Sequence, residues 1–336
     1  MSSKHTHKIA VIGAGSWGTA LAIQLARAGT DACLWGMEPE VIDSLTTDRV
    51  NHRFLPGIRV PKNLRISADL EENIGAHRDI LLVVPSHVFR EVLQKIKPWL
   101  RSDARIAWAT KGFELSTGKL AHEVAEEVLG TSIPLAVVSG PTFATEVGNG
   151  LPTAMTIAAT DDVFADDLSR AFTSKTFKAY TSNDIIGVEV GGAIKNILAI
   201  ATGLSDGLGY GANTRVLLIT RGLRELSRLG IALGAKESTF MGLSGMGDLV
   251  LTCTDNQSRN RRMGLALAKG RSMEDISEEI GQVVEGVKAA KAVHGVAQAM
   301  GVKMPICEAV YKLLYEGMST DDAAESLMSR PSGDEF

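Results

Sequence analysis

The chain has 336 residues, about twice a typical domain, so two domains are expected. Its 45% hydrophobic and 22% charged residues suit a water-soluble protein with a sizeable core. A formal net charge of −4 argues against a dedicated nucleic-acid binder. Three scattered cysteines, Cys33, Cys253 and Cys307, offer neither a disulfide framework nor a zinc pair, so no metal site is expected.

The opening MSSKHTHKIAVIG passes from a polar tail straight into a strand, without the apolar core of an export signal. KIAVIG reads as a strand, SWGTALAIQLARAG as a helix closed by Gly29, and DACLWG as a second strand. DILLVVP, ARIAWAT and PLAVVSG are short unbroken apolar runs, as in strands buried on both faces. Amphipathic stretches such as HVFREVLQKIKPWL and LAHEVAEEVLG lie between them. TAMTIAAT and KTFKAYT add strands toward the far edge of the sheet. Strand–helix alternation of this kind implies right-handed crossovers and a parallel sheet.

After about Asn183 the alternation gives way to long helical patterns: IIGVEVGGAIKNILAIATGL, NTRVLLITRGLRELSRLG, EGVKAAKAVHGVAQAM and AVYKLLYEGM. The fold class expected is α/β: an N-terminal Rossmann-type, doubly wound, mostly parallel sheet over residues 1–187, and an all-helical substrate domain over 188–336. No linker or repeat separates them, so close packing around a ligand cleft is expected. No uncharged apolar run reaches the ~18 residues of a membrane span. A soluble cytoplasmic protein with no membrane and no nucleic-acid partner is the expectation.

IGAGSWGTA places Gly13, Gly15 and Gly18 in G-x-G-x-x-G spacing, after a strand and opening a helix. In that context the spacing points to a dinucleotide. One glycine serves the tight turn, one the approach of pyrophosphate and one the helix–strand contact. The phosphates would face the first N–H groups of the helix. The second strand ends LWGMEPE, with neither the acidic residue that favours NAD nor an arginine that favours NADP. Arg53 is near enough in sequence to swing in, and NAD and NADP both stay open.

Lys111 follows the ARIAWAT strand and Gly140, Pro141, Thr142 and Ala144 follow PLAVVSG, all where doubly wound sheets bind ligands. Lys195 is the one charged residue between Val190 and Ser205, an ammonium in an otherwise apolar helix. Such a group sheds its proton or finds a partner. In LSGMGDLVLTCTDNQSRNRR, Asp248 and Thr252 share a helical face. Ser258, Arg259 and Asn260 offer a hydroxyl, a guanidinium and an amide suited to a phosphate. Arg261 and Arg262 read as a solvated face.

IGAGSWGTALA, VVPSHVF, ATKG, SGPTFA, GGAIKN, TRGL, GLSGMGDLVLTCT, NQSRNRR and VVEG, in this order, resemble the bacterial NAD(P)-dependent glycerol-3-phosphate dehydrogenases over roughly residues 8–325. The resemblance implies interconversion of dihydroxyacetone phosphate and sn-glycerol 3-phosphate for phospholipid synthesis, in a homodimer. It places Ser16, Trp17, Lys111, Ala144, Arg259, Val283 and Glu285 against the cofactor. Met37 stands where relatives often carry a basic residue or histidine. It places Lys111, Gly140, Thr142, Lys195, Asp248, Ser258, Arg259 and Asn260 around the substrate, with Lys195 as proton acceptor in the oxidation.

Under that reading Lys195 exchanges a proton with the substrate oxygen, Asp248 and Thr252 orient it, and Lys111 polarises the carbonyl. Two alternatives compete. A β-hydroxyacid dehydrogenase would carry an asparagine one turn beyond the lysine, where this chain has Ala199. A dinucleotide sensor without turnover would be expected to lack Lys195, Lys111 or Asp248, all of which are present.

Overall fold

The apolar runs become strands of one eight-stranded sheet in the computed structural model, which describes residues 7–328. In chain order the strands are β1 (Lys8–Ile12), β2 (Asp31–Trp35), β3 (Val50–Asn51), β4 (Leu55–Arg59), β5 (Arg65–Ser67), β6 (Asp79–Leu82), β7 (Arg105–Trp108), β8 (Leu135–Ser139), β9 (Thr153–Ala159) and β10 (Phe177–Ser182). Their spatial order is β10-β9-β8-β7-β6-β1-β2-β5, and β3 and β4 form a separate antiparallel pair. Neighbours in the large sheet run parallel except β8 and β9. The short β5 and the β3–β4 pair were not foreseen, because two or three residues carry no periodicity to read.

From β1 the chain adds β2 and β5 on one side, then returns to place β6 on the other, so that Ile9 lies opposite both Ala32 and Asp79. A reversal of strand order is where open α/β sheets take ligands, beyond the carboxyl ends of the strands. Successive strand residues point to opposite layers. Ile9, Val11, Leu81 and Ala107 pack with the helices Ser16–Ala28 and Asp162–Phe172. Ala10, Ile12, Ile80, Leu82, Ile106 and Trp108 pack with Leu70–Ala76, Phe89–Ile96 and Ala121–Leu129. Both faces are covered, which is why the strands read as unbroken apolar runs. Each fully buried Leu or Ile contributes roughly 1.5–3 kcal/mol.

The amino ends of the strands are closed by charge. Arg105 bonds both carboxylate oxygens of Asp79 at 2.6 and 2.7 Å, and Asp167 at 2.8 Å. Removing one member of a buried group like this typically costs about 3–5 kcal/mol.

The chain divides into two units, Met1–Lys111 with Leu120–Glu189, and Gly112–Lys119 with Val190–Phe336. Among the described residues of the second unit, the regular elements are helices. Ile185–Gly207 begins in the first unit and continues into the second. Its length and mean hydropathy of 1.5 would suit a membrane span, but 89% of the apolar window is buried in the protein, as in a core helix.

In the first unit, Glu189 is buried and ties three segments together. It accepts from Trp108 Nε1 at 3.1 Å and from the His122 backbone N–H at 3.0 Å, and it pairs with the His122 ring. Burial works against a charged His122, but the bond to Glu189 and the nearby carboxylates outweigh it and raise the imidazole above its ordinary 6.5. Burial likewise raises the Glu189 carboxyl, with His122 offsetting part of that. A raised pKa in the folded state stabilises fully below the unfolded value and stops doing so as pH climbs through the folded one. The melting temperature of the wild type should therefore exceed that of His122→Gln by more at about pH 6 than at about pH 9. A difference that does not change across that window, measured by thermal melts, would contradict a charged His122.

Candidate active site

The first residues of the site come from the turn after β1. Gly13 has φ 118°, and a Cβ there would stand 2.3 Å from the Val83 carbonyl oxygen, so the turn needs glycine for both reasons. Gly18 packs back on the same turn, its absent Cβ lying 1.8 Å from the Gly13 oxygen. Gly15 differs: no protein atom lies within 4 Å of where its Cβ would be. Protein packing does not demand a glycine there, whereas a group approaching the backbone would. Gly15 is also the N-cap of Ser16–Ala28 and supplies no side-chain bond, so the helix N-terminus presents its first N–H groups uncapped. Trp17 Nε1 is buried without a hydrogen-bond partner. A gap in front of Gly15 and an unsatisfied indole N–H both fit a bound dinucleotide.

The other expected residues of the first unit also lie beyond carboxyl ends of strands. Met37 follows β2 and is 75% exposed. Arg53 pairs with Glu40 at 2.7 Å on the surface. Lys111 follows β7 and is half-buried. Gly140 follows β8 with φ 149°, and its Cβ would press on the Met155 backbone at 2.9 Å. Thr142 donates to the Gly140 carbonyl at 3.2 Å, and Ala144 begins the helix Ala144–Asn149. That helix is capped by Phe143 without a side-chain bond.

In the second unit Lys195 is 6% exposed and donates to Asp248 Oδ1, while Asp248 is fully buried. Asp248 opens the helix Asp248–Thr254 directly after a π-helical turn, Leu243–Gly247, closed by Gly247 N–H to the Gly242 carbonyl at 3.1 Å. Such wide turns are rare and gather at functional sites. Gly191, one turn before Lys195, lets the turn come close; a Cβ there would be 2.2 Å from the Ser244 oxygen. Thr252 donates to the Asp248 carbonyl at 2.6 Å, which places it on the expected face.

A second cluster in the same unit is built on amides. Asn260 is buried; it donates to Asn196 Oδ1 at 2.9 Å and accepts from the Gly286 N–H at 2.8 Å. Asn196 in turn donates to Glu285 at 3.2 Å. Arg259 is half-buried and donates to Gln282 at 3.1 Å, beside Val283, which is exposed. Ser258 caps Arg259–Leu267, its Oγ accepting from the Arg261 N–H at 3.2 Å. The structure thus joins Lys195 to Asp248 and Thr252, and Asn260 to Glu285. Asn196 and Gln282 carry no role in the sequence reading, although an amide next to a buried lysine in an apolar helix is a usable signal. The expectation for Arg261 is corrected: its side chain is buried and paired with Asp206 at 2.6 Å, whereas Arg262 is exposed as expected. Among the described residues no group of His, Cys, Asp and Glu is disposed to hold a metal ion.

The uncapped glycine-rich turn of the first unit suits a dinucleotide, and the second unit holds a buried ammonium–carboxylate pair. Known proteins agree. Residues 8–165 match the family model for the N-terminus of NAD-dependent glycerol-3-phosphate dehydrogenase, and residues 184–325 match that for its C-terminus. A glycerol-3-phosphate dehydrogenase (NAD(P)+) of Vibrio campbellii is 57% identical over 321 residues, 95% of this chain and 93% of that one. One from Tolumonas auensis is 56% identical over 323 residues, 96% of this chain and 97% of that one. The crystal structure of glycerol-3-phosphate dehydrogenase from Coxiella burnetii superposes with a TM-score of 0.93 at 46% identity, covering 97% of this chain and 99% of that one. The chain belongs to the NAD-dependent glycerol-3-phosphate dehydrogenase family.

Proposed function

We propose that this chain catalyses reversible hydride transfer between NADH or NADPH and dihydroxyacetone phosphate, giving sn-glycerol 3-phosphate. The observation that carries this is the Lys195 ammonium, buried in an apolar helix and held by Asp248. The dinucleotide, when bound, supplies the hydride. Gly13, Gly15, Ser16, Trp17, Gly18, Met37, Lys111, Ala144, Arg259, Val283 and Glu285 would hold it, the turn after β1 taking the pyrophosphate.

As the ketone carbon is reduced, its oxygen gains negative charge and needs a proton. Lys195 donates that proton, and in the oxidation it accepts the hydroxyl proton. Asp248 fixes the direction of the ammonium, and Thr252 braces Asp248. Lys111 stabilises the developing oxyanion. Ser258, Arg259 and Asn260 anchor the phosphate, with Gly140 and Thr142 completing the substrate contacts, so that binding energy remote from the carbonyl aligns it. On this reading residues 1–187 serve the dinucleotide and 188–336 serve substrate and catalysis. A cytoplasmic homodimer without membrane association, supplying glycerol phosphate to phospholipid synthesis, completes the assignment. Exposed apolar side chains of the second unit, among them Val216, Ile231 and Met241, are compatible with a dimer.

Initial rates of reduced-dinucleotide oxidation with dihydroxyacetone phosphate test the activity. Lys195→Ala should lower turnover by ~10²- to 10⁴-fold, the usual size of acid–base help, with cofactor Kd nearly unchanged. Near wild-type turnover would remove Lys195 from the chemistry. Arg259→Ala should chiefly raise KM for dihydroxyacetone phosphate, by about tenfold or more, as expected when a charged hydrogen bond to a ligand is lost. An unchanged KM would refute the anchor.

A further inference from the structure

Arg261 follows the anchor residues Arg259 and Asn260 in sequence but turns inward. Its Nη1 forms an ion pair with Asp206 Oδ2 at 2.6 Å and donates a hydrogen bond to the Cys253 carbonyl at 3.2 Å. Its Nε donates to Asn256 Oδ1 at 3.0 Å. Arg215 Nε lies 2.9 Å from the same Asp206 oxygen and donates to Oδ1 at 3.2 Å. The side chains of Asp206 and Arg261 are 10% and 7% exposed.

These partners sit on the segments that carry the site. Asp206 lies at the end of Ile185–Gly207, the helix of Lys195. Cys253 lies in the last turn of Asp248–Thr254, the helix of Lys195's carboxylate partner. Asn256 belongs to the turn that leads to Ser258. Arg261 itself is in the first turn of Arg259–Leu267, the helix of the phosphate anchor. One planar guanidinium therefore fixes three helix ends at once, which the single-point ammonium of a lysine does not reproduce. The backbones beneath it are already in contact: a Cβ on Gly203 would lie 2.2 Å from the Arg261 oxygen, and one on Gly264 2.1 Å from the Ile200 oxygen. With the helices locked in register, the freedom left is that of the Asp255–Ser258 turn, which Arg261 clamps through Asn256. Arg261 is committed to Asp206, which it shares with Arg215, so the anchor falls to Arg259, between Ser258 and Asn260.

We propose that Arg261, held by Asp206, is a positioning residue that presents Ser258, Arg259 and Asn260 to the substrate phosphate. The inference rests on the anchor role assigned above. It predicts a defect confined to substrates that carry the phosphate. Initial rates would be compared for dihydroxyacetone phosphate and for dihydroxyacetone, the same ketone without it, at saturating NADH, in the wild type, Arg261→Lys and Asn256→Ala.

For Arg261→Lys, kcat/KM with dihydroxyacetone phosphate should fall about tenfold or more, mostly through KM. For Asn256→Ala, which alters an exposed turn residue, a fall of about threefold is expected, with dihydroxyacetone kcat/KM within about twofold of wild type in both variants. Equal losses on the two ketones would reduce Arg261 to a stabilising residue and overturn the proposal. So would an unchanged KM for dihydroxyacetone phosphate in a folded Arg261→Lys, or in Asn256→Ala should the lysine variant not fold. Wild-type protein that did not reduce dihydroxyacetone phosphate would refute the activity itself, a result distinct from either.

Discussion

A charged amine inside an apolar helix is the constraint around which the second unit is organised. Lys195 has Ile194 and Ile197 as buried neighbours in the helix, so its charge has to be met by a partner from another element. Asp248 meets it, and Asp248 is itself fully buried. Removing one partner of a buried ion pair typically costs about 3–5 kcal/mol. A buried hydrophobic pair would have been easier to accommodate, and the proposed mechanism uses the ammonium that stands there instead. The π-helical turn before Asp248 and the missing side chain at Gly191 are local concessions that let the carboxylate reach the ammonium.

The first unit divides its labour between the two ends of its sheet. At the amino ends, Arg105, Asp79 and Asp167 satisfy one another, and the groups are used up in holding strands together. Beyond the carboxyl ends lie the uncapped helix N-terminus, the unpartnered Trp17 indole and the open space at Gly15. The contrast is physical: saturated hydrogen bonding marks the structural end, and unsatisfied donors mark the end prepared for a ligand.

Much of this was legible in the sequence. Strands buried on both faces announce themselves as apolar runs, and β1, β2, β6, β7 and β8 fall where such runs occur. The glycine spacing located the turn, and the isolated charge of Lys195 located the helix. What escaped was decided by long-range pairing. Arg261 stands in RNRR, where adjacent charges suggest a solvated face, and only the approach of Asp206, 55 positions earlier, makes it a buried brace. Asn196, Asn260 and Glu285 likewise become one network through contacts between elements far apart in the chain, which no local pattern encodes. The segment Gly112–Lys119 falls with the second unit although strand and helix of the first flank it, again a tertiary matter.

The claim on which the rest stands is that the Lys195 amine carries the proton. Chemical rescue tests it most directly: small alkylamines added to folded Lys195→Ala enzyme, with cofactor binding verified, while glycerol 3-phosphate oxidation is followed. The account predicts that turnover rises with free-amine concentration and follows the basicity of the amine added. Turnover that stays flat across a series of amines small enough to occupy the vacated space would contradict it.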